Sequence, residues 1–381
     1  MFDYIIVGCG FAGSVIAERI ANKLNKKVLV IEKRNHIGGN CYDFQTKEGI
    51  VVHKYGPHLF HTNYREVWDY LSNFTDWHIY QHKVLGYIDG KKVPIPFNLN
   101  TLHALFPKTL AEKLEKKLLE KYKYGERVFI LKLRQEKDKD LNFLANFVYE
   151  KVFLNYTIKQ WGIKPEDIDE KVLDRVPVVI SKDDRYFADK YQGVPKDGYT
   201  KIFEKMLFNP NVKLMMNTDF KEVINIDIEN KKIYFLGQEF KGKLIFTGMI
   251  DELFNYCFGE LPYRSLKLNF ETLEQQYFQE VAVVNYPNNY DFTRITEFKH
   301  IHPTTSNKTI ILKEYPQEYI KGKNEPFYPV FTKENQERYL RYKRLAGRFD
   351  NLILVGRLAE YRYYDMDDVI KRALEIFEEV I

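Results

Sequence analysis

Short apolar runs that stop at a glycine mark out the framework of this chain. Residues 4–7, Tyr-Ile-Ile-Val, lead into Gly8-Cys9-Gly10-Phe11-Ala12-Gly13 and then a helical stretch from Ser14. Residues 27–31 form a second apolar run that stops at Glu32. Runs of the same kind recur at 212–216, 232–236, 243–246 before Thr247-Gly248, and 351–355 before Gly356, while 201–207 and 367–380 carry helical periodicity. The alternation predicts βαβ units of one α/β domain. A strand that ends in glycine and leads to a helix sets that glycine at the carboxyl edge of the sheet, where ligands bind; Gly248 and Gly356 are candidates for that edge.

Two stretches of different character interrupt this pattern. Residues 98–195 read as mainly helical. Leu110, Leu114 and Leu118 recur every four residues with Glu112, Lys116 and Lys117 turned outward. Asp140 is placed to cap a second helix with Leu141, Leu144, Val148 and Val152 on one side. Pro165 and Pro177 bracket a loop. Residues 263–331 hold short alternating runs at 265–270, 281–285, 293–298 and 309–313, as in an antiparallel sheet with one buried face. The expected fold is therefore α/β. A Rossmann-like domain, residues 1–97, 196–262 and 332–381, carries an inserted helical domain, 98–195, and an inserted antiparallel β-sheet domain, 263–331, with a cleft where the three meet.

Composition narrows the classes of function. The 381 residues carry 58 basic and 53 acidic side chains, a net charge of +5, too balanced for a general nucleic-acid binder. Three scattered cysteines, Cys9, Cys41 and Cys257, make neither a disulfide framework nor a metal knuckle and fit a reducing cytoplasm. The chain passes from Met1 into a strand with no basic n-region or cleavage site, so no leader is expected, and no apolar run reaches the ~20 residues that span a bilayer. Membrane insertion is not expected, and the expected location is cytoplasmic. Aromatic residues make up 15% of the chain, through a compositional bias, the lining of a pocket, or both.

Within the first βαβ unit, Gly8 suits a tight turn, Gly10 a close approach to a pyrophosphate and Gly13 close contact between helix and strand. Glu32 follows Gly13 by 19 residues and is placed to accept from a ribose hydroxyl. Gly38-Gly39 follows soon after. This layout resembles the FAD-binding, glutathione-reductase-like flavoproteins and favours FAD over a nicotinamide cofactor. In residues 52–62, Gly56-Pro57 breaks regular structure beside His53, His58 and His61. Three histidines could suggest a metal site, but no carboxylate or cysteine supports them there, and no metal is expected. A turn that presents His58 to a flavin face is the better reading.

Further motifs run in order along the whole chain: Tyr55-Gly56-Pro57-His58, Tyr156-Thr157-Ile158-Lys159-Gln160-Trp161-Gly162, Arg175-Val176-Pro177, Tyr186-Phe187, Thr293-Arg294, Phe327-Tyr328-Pro329 and Gly356-Arg357-Leu358-Ala359-Glu360-Tyr361. Together they resemble the bacterial type of the UDP-galactopyranose mutase family. The resemblance implies FAD, active when reduced, and a UDP-sugar substrate. UDP-galactopyranose would be interconverted with UDP-galactofuranose for surface polysaccharides. In the family mechanism flavin N5 attacks the anomeric carbon and UDP departs; the sugar opens as an iminium and recloses through O4, so the flavin is a covalent nucleophile.

The same resemblance assigns roles. His58, Arg175 and Arg294 are the catalytic set, the two arginines meeting the departing diphosphate with guanidinium forks. Arg175 would sit in a loop that folds over the nucleotide. Trp161 would border the sugar, Tyr156 and Tyr186 would pack on the uridine and its phosphates, and Tyr328 and Tyr363 would donate to the diphosphate. Thr157 and Asn285 complete the substrate set. Outside the motif each of these aromatics would more often be core. For FAD the carried positions are Gly8, Gly10, Phe11, Ala12, Gly13, Glu32, Lys33, Gly39, Asn40, Pro57, His58 and Leu59, with Gly356, Arg357, Tyr364, Asp365 and Met366. The Pro57 carbonyl would accept the N5 hydrogen. The family implies a homodimer. Two rivals share the fold: a hydride-moving flavin oxidase or reductase, and a carrier that has lost the flavin, as in the Rab GDP-dissociation inhibitors. Some relatives take an N-acetylated sugar, and His61 is the position to watch for that difference.

Overall fold

The structure, a computed structural model, describes residues 2–162 and 177–381, leaving aside the side chains of Trp161 and Val380. Arg175, Pro165 and the whole loop up to residue 176 lie outside the described residues.

Five strands form a parallel sheet in the order Val212–Met215, Val28–Ile31, Tyr4–Val7, Lys243–Phe246 and Leu352–Leu354. The three central strands bury side chains on both faces because helices cover one side and further aromatic residues the other. The helices Phe11–Lys23, Tyr199–Leu207 and Met366–Val380 close the first face. At the carboxyl edge stand Gly8, Glu32, Thr247, Gly248 and Gly356, with Thr218 and Asp219 beyond the edge strand. Helix Phe11–Lys23 begins at Gly10 without a side-chain cap. The N–H groups of its first turn have no acceptor within the helix and point toward that edge.

A second sheet has seven strands in the order Tyr328–Pro329, Tyr263–Leu273, Thr309–Glu318, Arg294–Glu297, Val283–Asn285, Val84–Ile88 and Lys91–Ile95. Its pairs are antiparallel except Val283–Asn285 against Val84–Ile88. The alternation read in residues 263–331 therefore does produce a sheet. It is completed by two strands that precede the helical stretch in sequence.

The helical stretch packs directly on this sheet. Leu114, Leu118, Leu144 and Val148 share one core with Val84, Ile95, Val283 and Leu312. Helix Lys108–Lys121 buries Leu114 and Leu118, as its four-residue repeat demands. Helix Lys139–Val148 is capped by Asp138, not by Asp140. The Asp138 carboxylate accepts from the N–H groups of Asp140 and Leu141 at 2.9 and 3.1 Å. Asp140 instead stands in the first turn and pairs with Lys113 and Lys117. Among the described residues no helix is long and apolar enough to cross a membrane.

Candidate active site

At the carboxyl edge of the parallel sheet lies a cavity of about 260 Å³. Gly8 holds φ +100°, and a Cβ there would lie 2.1 Å from Thr247 Oγ1. Gly39, at φ +55°, faces Gly10 so closely that a Cβ on it would meet the Gly10 Cα at 2.8 Å. The Gly38 N–H donates to the Cys9 carbonyl at 2.9 Å. Two glycine turns thus form a bare backbone cradle, which only side-chain-free residues allow. Glu32 lines the cavity while its two carboxylate oxygens accept from the Cys9 and Arg34 N–H groups, at 2.9 and 3.0 Å. The residues present fit a dinucleotide whose pyrophosphate faces the open N-terminus of helix Phe11–Lys23.

Of the positions carried over for FAD, most line this cavity: Gly8, Gly10, Phe11, Ala12, Glu32 and Lys33 at one end, then Gly39 and Asn40, and His58, Gly356, Arg357, Tyr364, Asp365 and Met366 toward the other. Gly13 does not line it. A Cβ on Gly13 would lie 2.0 Å from the Gly8 carbonyl oxygen, so its glycine serves the contact between helix and strand. Pro57 and Leu59 line only the neighbouring cavity. Sequence reading missed Arg34 and Glu325. Arg34 spans the cavity side, donating to Asn40 Oδ1 and pairing with Glu325 at 2.8 Å while its guanidinium covers the Tyr55 ring. Thr218 and Phe220, also missed, follow the strand beside Glu32; their place after a strand end was the available signal.

The cradle opens into a second cavity of about 530 Å³ where the sheets and the helical stretch meet. Asn40, His58, Phe327, Arg357, Asp365 and Met366 line both. Arg357 stands at this junction, over the rings of Tyr328 and Tyr363 at 5.1 and 5.2 Å, and those rings stack on each other at 5.9 Å. Arg357 is anchored by donating to the Phe327 and Tyr364 carbonyls.

Register builds the opposite wall. Asn285 pairs with Arg294 and Arg294 with Glu314 across three adjacent strands, so the three side chains share a face. Arg294 Nε donates to Glu314 Oε1 at 2.7 Å. The Glu314 side chain is 2% exposed, whereas 27% of Arg294 remains open, on the cavity side. Burial opposes the Arg294 charge, but Glu314 more than offsets it and holds the guanidinium charged. Tyr156 and Tyr186 line the same cavity. Thr157 does not. It is buried and lines neither cavity, because the next residue on a helix points about 100° away from Tyr156. Trp161 is placed in helix Asn155–Trp161, but its side chain falls outside the described residues.

The three histidines of the glycine-proline turn go to three different places. His58 lines the junction, and its Nδ1–H donates to the Gly56 carbonyl at 2.8 Å. Burial pushes its pKa down to about 4, and nearby Arg357 and Arg294 act in the same direction, so at neutral pH it is an uncharged imidazole with a bare Nε2. His53 lies underneath. Its Nδ1 accepts from the His58 N–H at 2.9 Å and its Nε2 meets His302 Nε2 at 2.9 Å. Asp43, His53 and His302 bring their ligand-capable atoms within 4.8 Å of one another, a carboxylate partner that sequence reading did not find. Hydrogen bonds close this cluster, since Asp43 accepts from the N–H groups of Tyr199 and Thr200 at 2.6 and 2.9 Å. The relay fixes the backbone of the His58 turn.

His61 lines the larger cavity, stacked on Phe187 at 3.6 Å, with Nδ1 3.0 Å from Asp189 Oδ2. Burial pulls its pKa down, but Asp189, with Asp365 and Asp367, more than offsets this and the net shift is upward. Such a group stabilises the fold below the ordinary histidine pKa and loses that contribution as pH rises through the raised value. Asp189→Asn is expected to move the His61 titration to lower pH in an NMR experiment on the ring Cε1 proton. An unchanged midpoint would show that Asp189 does not set it.

Two family models match. UDP-galactopyranose mutase covers residues 151–363, more than half of the chain, and the NAD(P)-binding Rossmann-like domain covers residues 6–74. The UDP-galactopyranose mutase of Mycoplasma genitalium is 35% identical over 388 residues, covering 100% of this chain and 95% of that one. A dTDP-fucopyranose mutase of Escherichia coli is 34% identical, covering 98% and 97%. A crystal structure of reduced UDP-galactopyranose mutase superposes with a TM-score of 0.76 over 100% of this chain and 94% of that one, at 16% identity, and so shares its fold. With the dinucleotide cradle, the arginine and tyrosine cavity beside it and these full-length matches, the chain belongs to the UDP-galactopyranose mutase family of isomerases.

Proposed function

We propose that this protein interconverts UDP-galactopyranose and UDP-galactofuranose, with reduced FAD as its cofactor. The observation that carries the reading is the junction at Arg357. There a dinucleotide cradle opens into a cavity whose far wall holds Arg294 and whose near wall holds Tyr328 and Tyr363. A charged guanidinium facing two phenols suits a diphosphate, and their place beside the cradle suits one whose sugar must reach the cofactor.

When bound, reduced FAD supplies an electron-rich ring nitrogen able to attack an anomeric carbon. The chain's own residues do the rest. Arg294, held charged by Glu314, takes up negative charge as the diphosphate departs, in a site where fixed donors need little reorganisation. Tyr156, Tyr186, Tyr328 and Tyr363 orient the nucleotide. His58 keeps its proton on Nδ1 against the Gly56 carbonyl and offers Nε2 as an acceptor. We further propose Arg175 as the second cation, the three-domain division read from the sequence, a cytoplasmic homodimer, and a role in supplying galactofuranose to surface polysaccharides.

The test is anaerobic incubation of the flavin-loaded protein with UDP-galactofuranose, with and without dithionite, followed by chromatography. Conversion only in the reduced sample, without stoichiometric consumption of reductant, is the expected result. Stoichiometric consumption would point to an oxidoreductase. The 34% identity to a dTDP-fucopyranose mutase favours a second reading, the same ring contraction on a dTDP-6-deoxy sugar. Parallel incubations with that substrate and with the N-acetylated sugar decide among the three.

A further inference from the structure

The helix that carries Tyr156 is gripped by the seven-stranded sheet through several contacts, of which Lys159 makes the most. Lys159 Nζ donates to three backbone carbonyls, those of Tyr286, Tyr290 and Phe292, at 2.6, 3.1 and 3.3 Å. All three belong to the turn that joins strand Val283–Asn285 to strand Arg294–Glu297. The ammonium has three protons and meets three acceptors. Among the described residues it forms no ion pair. The Lys159 carbonyl meanwhile accepts from Arg264 Nη2 at 3.3 Å, and the Gln160 carbonyl from Arg264 Nε at 3.2 Å. Arg264 thereby satisfies carbonyls that the helix end leaves open before Gly162 turns at φ +65°.

Two neighbours on the same helical face support the grip. Asn155, one turn earlier, donates to Asn288 Oδ1 at 2.8 Å, and the Asn288 amide donates to the Lys151 carbonyl at 2.8 Å. Residues 151, 155 and 159 thus read one turn of the sheet from consecutive helical turns. That turn is stiff in itself, because Tyr286, Tyr290 and Phe292 pack ring on ring at 4.9 to 5.1 Å. On each side of the grip stands cavity lining: Tyr156 on the helix, Asn285 and Arg294 at the two ends of the turn.

We propose that Lys159 is a positioning residue for the nucleotide-sugar site, fixing the helix that carries Tyr156 against the hairpin that carries Asn285 and Arg294. The inference rests on the reading of that cavity as a nucleotide-diphosphate site. Lys159 touches none of the cavity itself; it sets the spacing between two walls that a rigid nucleotide must bridge.

The geometry has a titratable signature. Burial pulls the Lys159 pKa down to about 8, with Asp291 acting the other way. Among the described residues, the ionisable groups around it are Asp291, Tyr286 and Tyr290 in the turn, Tyr87, Arg264 and Tyr315 on the sheet, and Lys151 on its own helical face. As pH rises through about 8 the amine sheds its charge and one of its three donors, and the grip weakens.

Binding of UDP to the flavin-loaded protein, followed by calorimetry from pH 6.5 to 9, tests this. Lys159→Met is expected to bind UDP about tenfold more weakly at pH 7, as for a lost charge-assisted hydrogen-bond set, with flavin content and near-UV circular dichroism unchanged. Wild-type affinity is expected to fall as pH rises through about 8, and Lys159→Met should lack that inflection. Lys159→Arg, which keeps the cation, covers the case in which the methionine variant does not fold. It should bind within about threefold of wild type and also lack the inflection. Unchanged affinity together with an inflection that persists in both variants overturns the inference while leaving the site reading intact. Failure of the wild type to bind either UDP or dTDP overturns the site reading, and this inference with it.

Discussion

Arg294→Met is expected to lower turnover at least about a thousandfold, the scale on which fixed transition-state cations and donors act, and to destabilise the fold by ~3 kcal/mol. The two losses have different origins. On the proposed reading, turnover falls because the guanidinium that faces the cavity is removed from the departing diphosphate. Stability falls because Glu314, 2% exposed, loses its 2.7 Å partner and remains as a buried carboxylate. The double variant Arg294→Met, Glu314→Gln separates them. It should recover most of the thermal stability, since no unpaired charge remains, and none of the activity. Recovery of both would mean that Arg294 acts only as a structural partner of Glu314. Arg294→Lys should fold and retain a few per cent of the activity at most, because an ammonium cannot present a fork to two phosphate oxygens.

Gly13→Ala is expected to empty the dinucleotide cradle. A Cβ at Gly13 would stand 2.0 Å from the Gly8 carbonyl oxygen and 3.1 Å from Ile6 Cγ2, so helix Phe11–Lys23 must move away from strand Tyr4–Val7. Displacing a packed helix from a buried strand costs ~3 kcal/mol, and it drags the turn at Gly8 and Gly10 out of register with Gly38 and Gly39. Flavin absorbance per chain should fall more than tenfold and the thermal midpoint should drop with it. Gly10→Ala is the contrasting case. Its Cβ would meet only the Gly39 Cα, at 3.7 Å, an ordinary contact. The fold should persist in that variant while flavin affinity alone declines, because the added methyl group projects where the cofactor backbone must approach. Equal flavin content in both variants and wild type would show that neither glycine supports the cofactor.

The glycine turn was legible in sequence because each of its residues answers a local demand. Gly8 needs a positive φ, Gly13 needs contact without a side chain, and Glu32 ends the next strand at the distance a βαβ unit dictates. The helix at Leu114 and Leu118 was equally legible, since its period needs no knowledge of what it packs against. The cap at Asp138 was misread by one half-turn, because Asp138 and Asp140 both suit a helix start and only the backbone path chooses between them. Thr157 shows the opposite limit. Its motif marked it beside Tyr156, yet helix geometry turns it into the core.

Local structure, then, was written in the chain itself: which segments become strands and where the sheet edge lies. What the chain alone left open is which distant groups meet. Asn285, Arg294 and Glu314 become neighbours through the register of three strands. His53 finds His302, His61 finds Asp189, and Lys159 finds the carbonyls of residues 286–292, each across more than 100 residues. Such pairings depend on how a seven-stranded sheet, a parallel sheet and a helical layer cross. Hydrophobic period specifies that each layer must bury a face but not which partner covers it, so those choices belong to the tertiary structure.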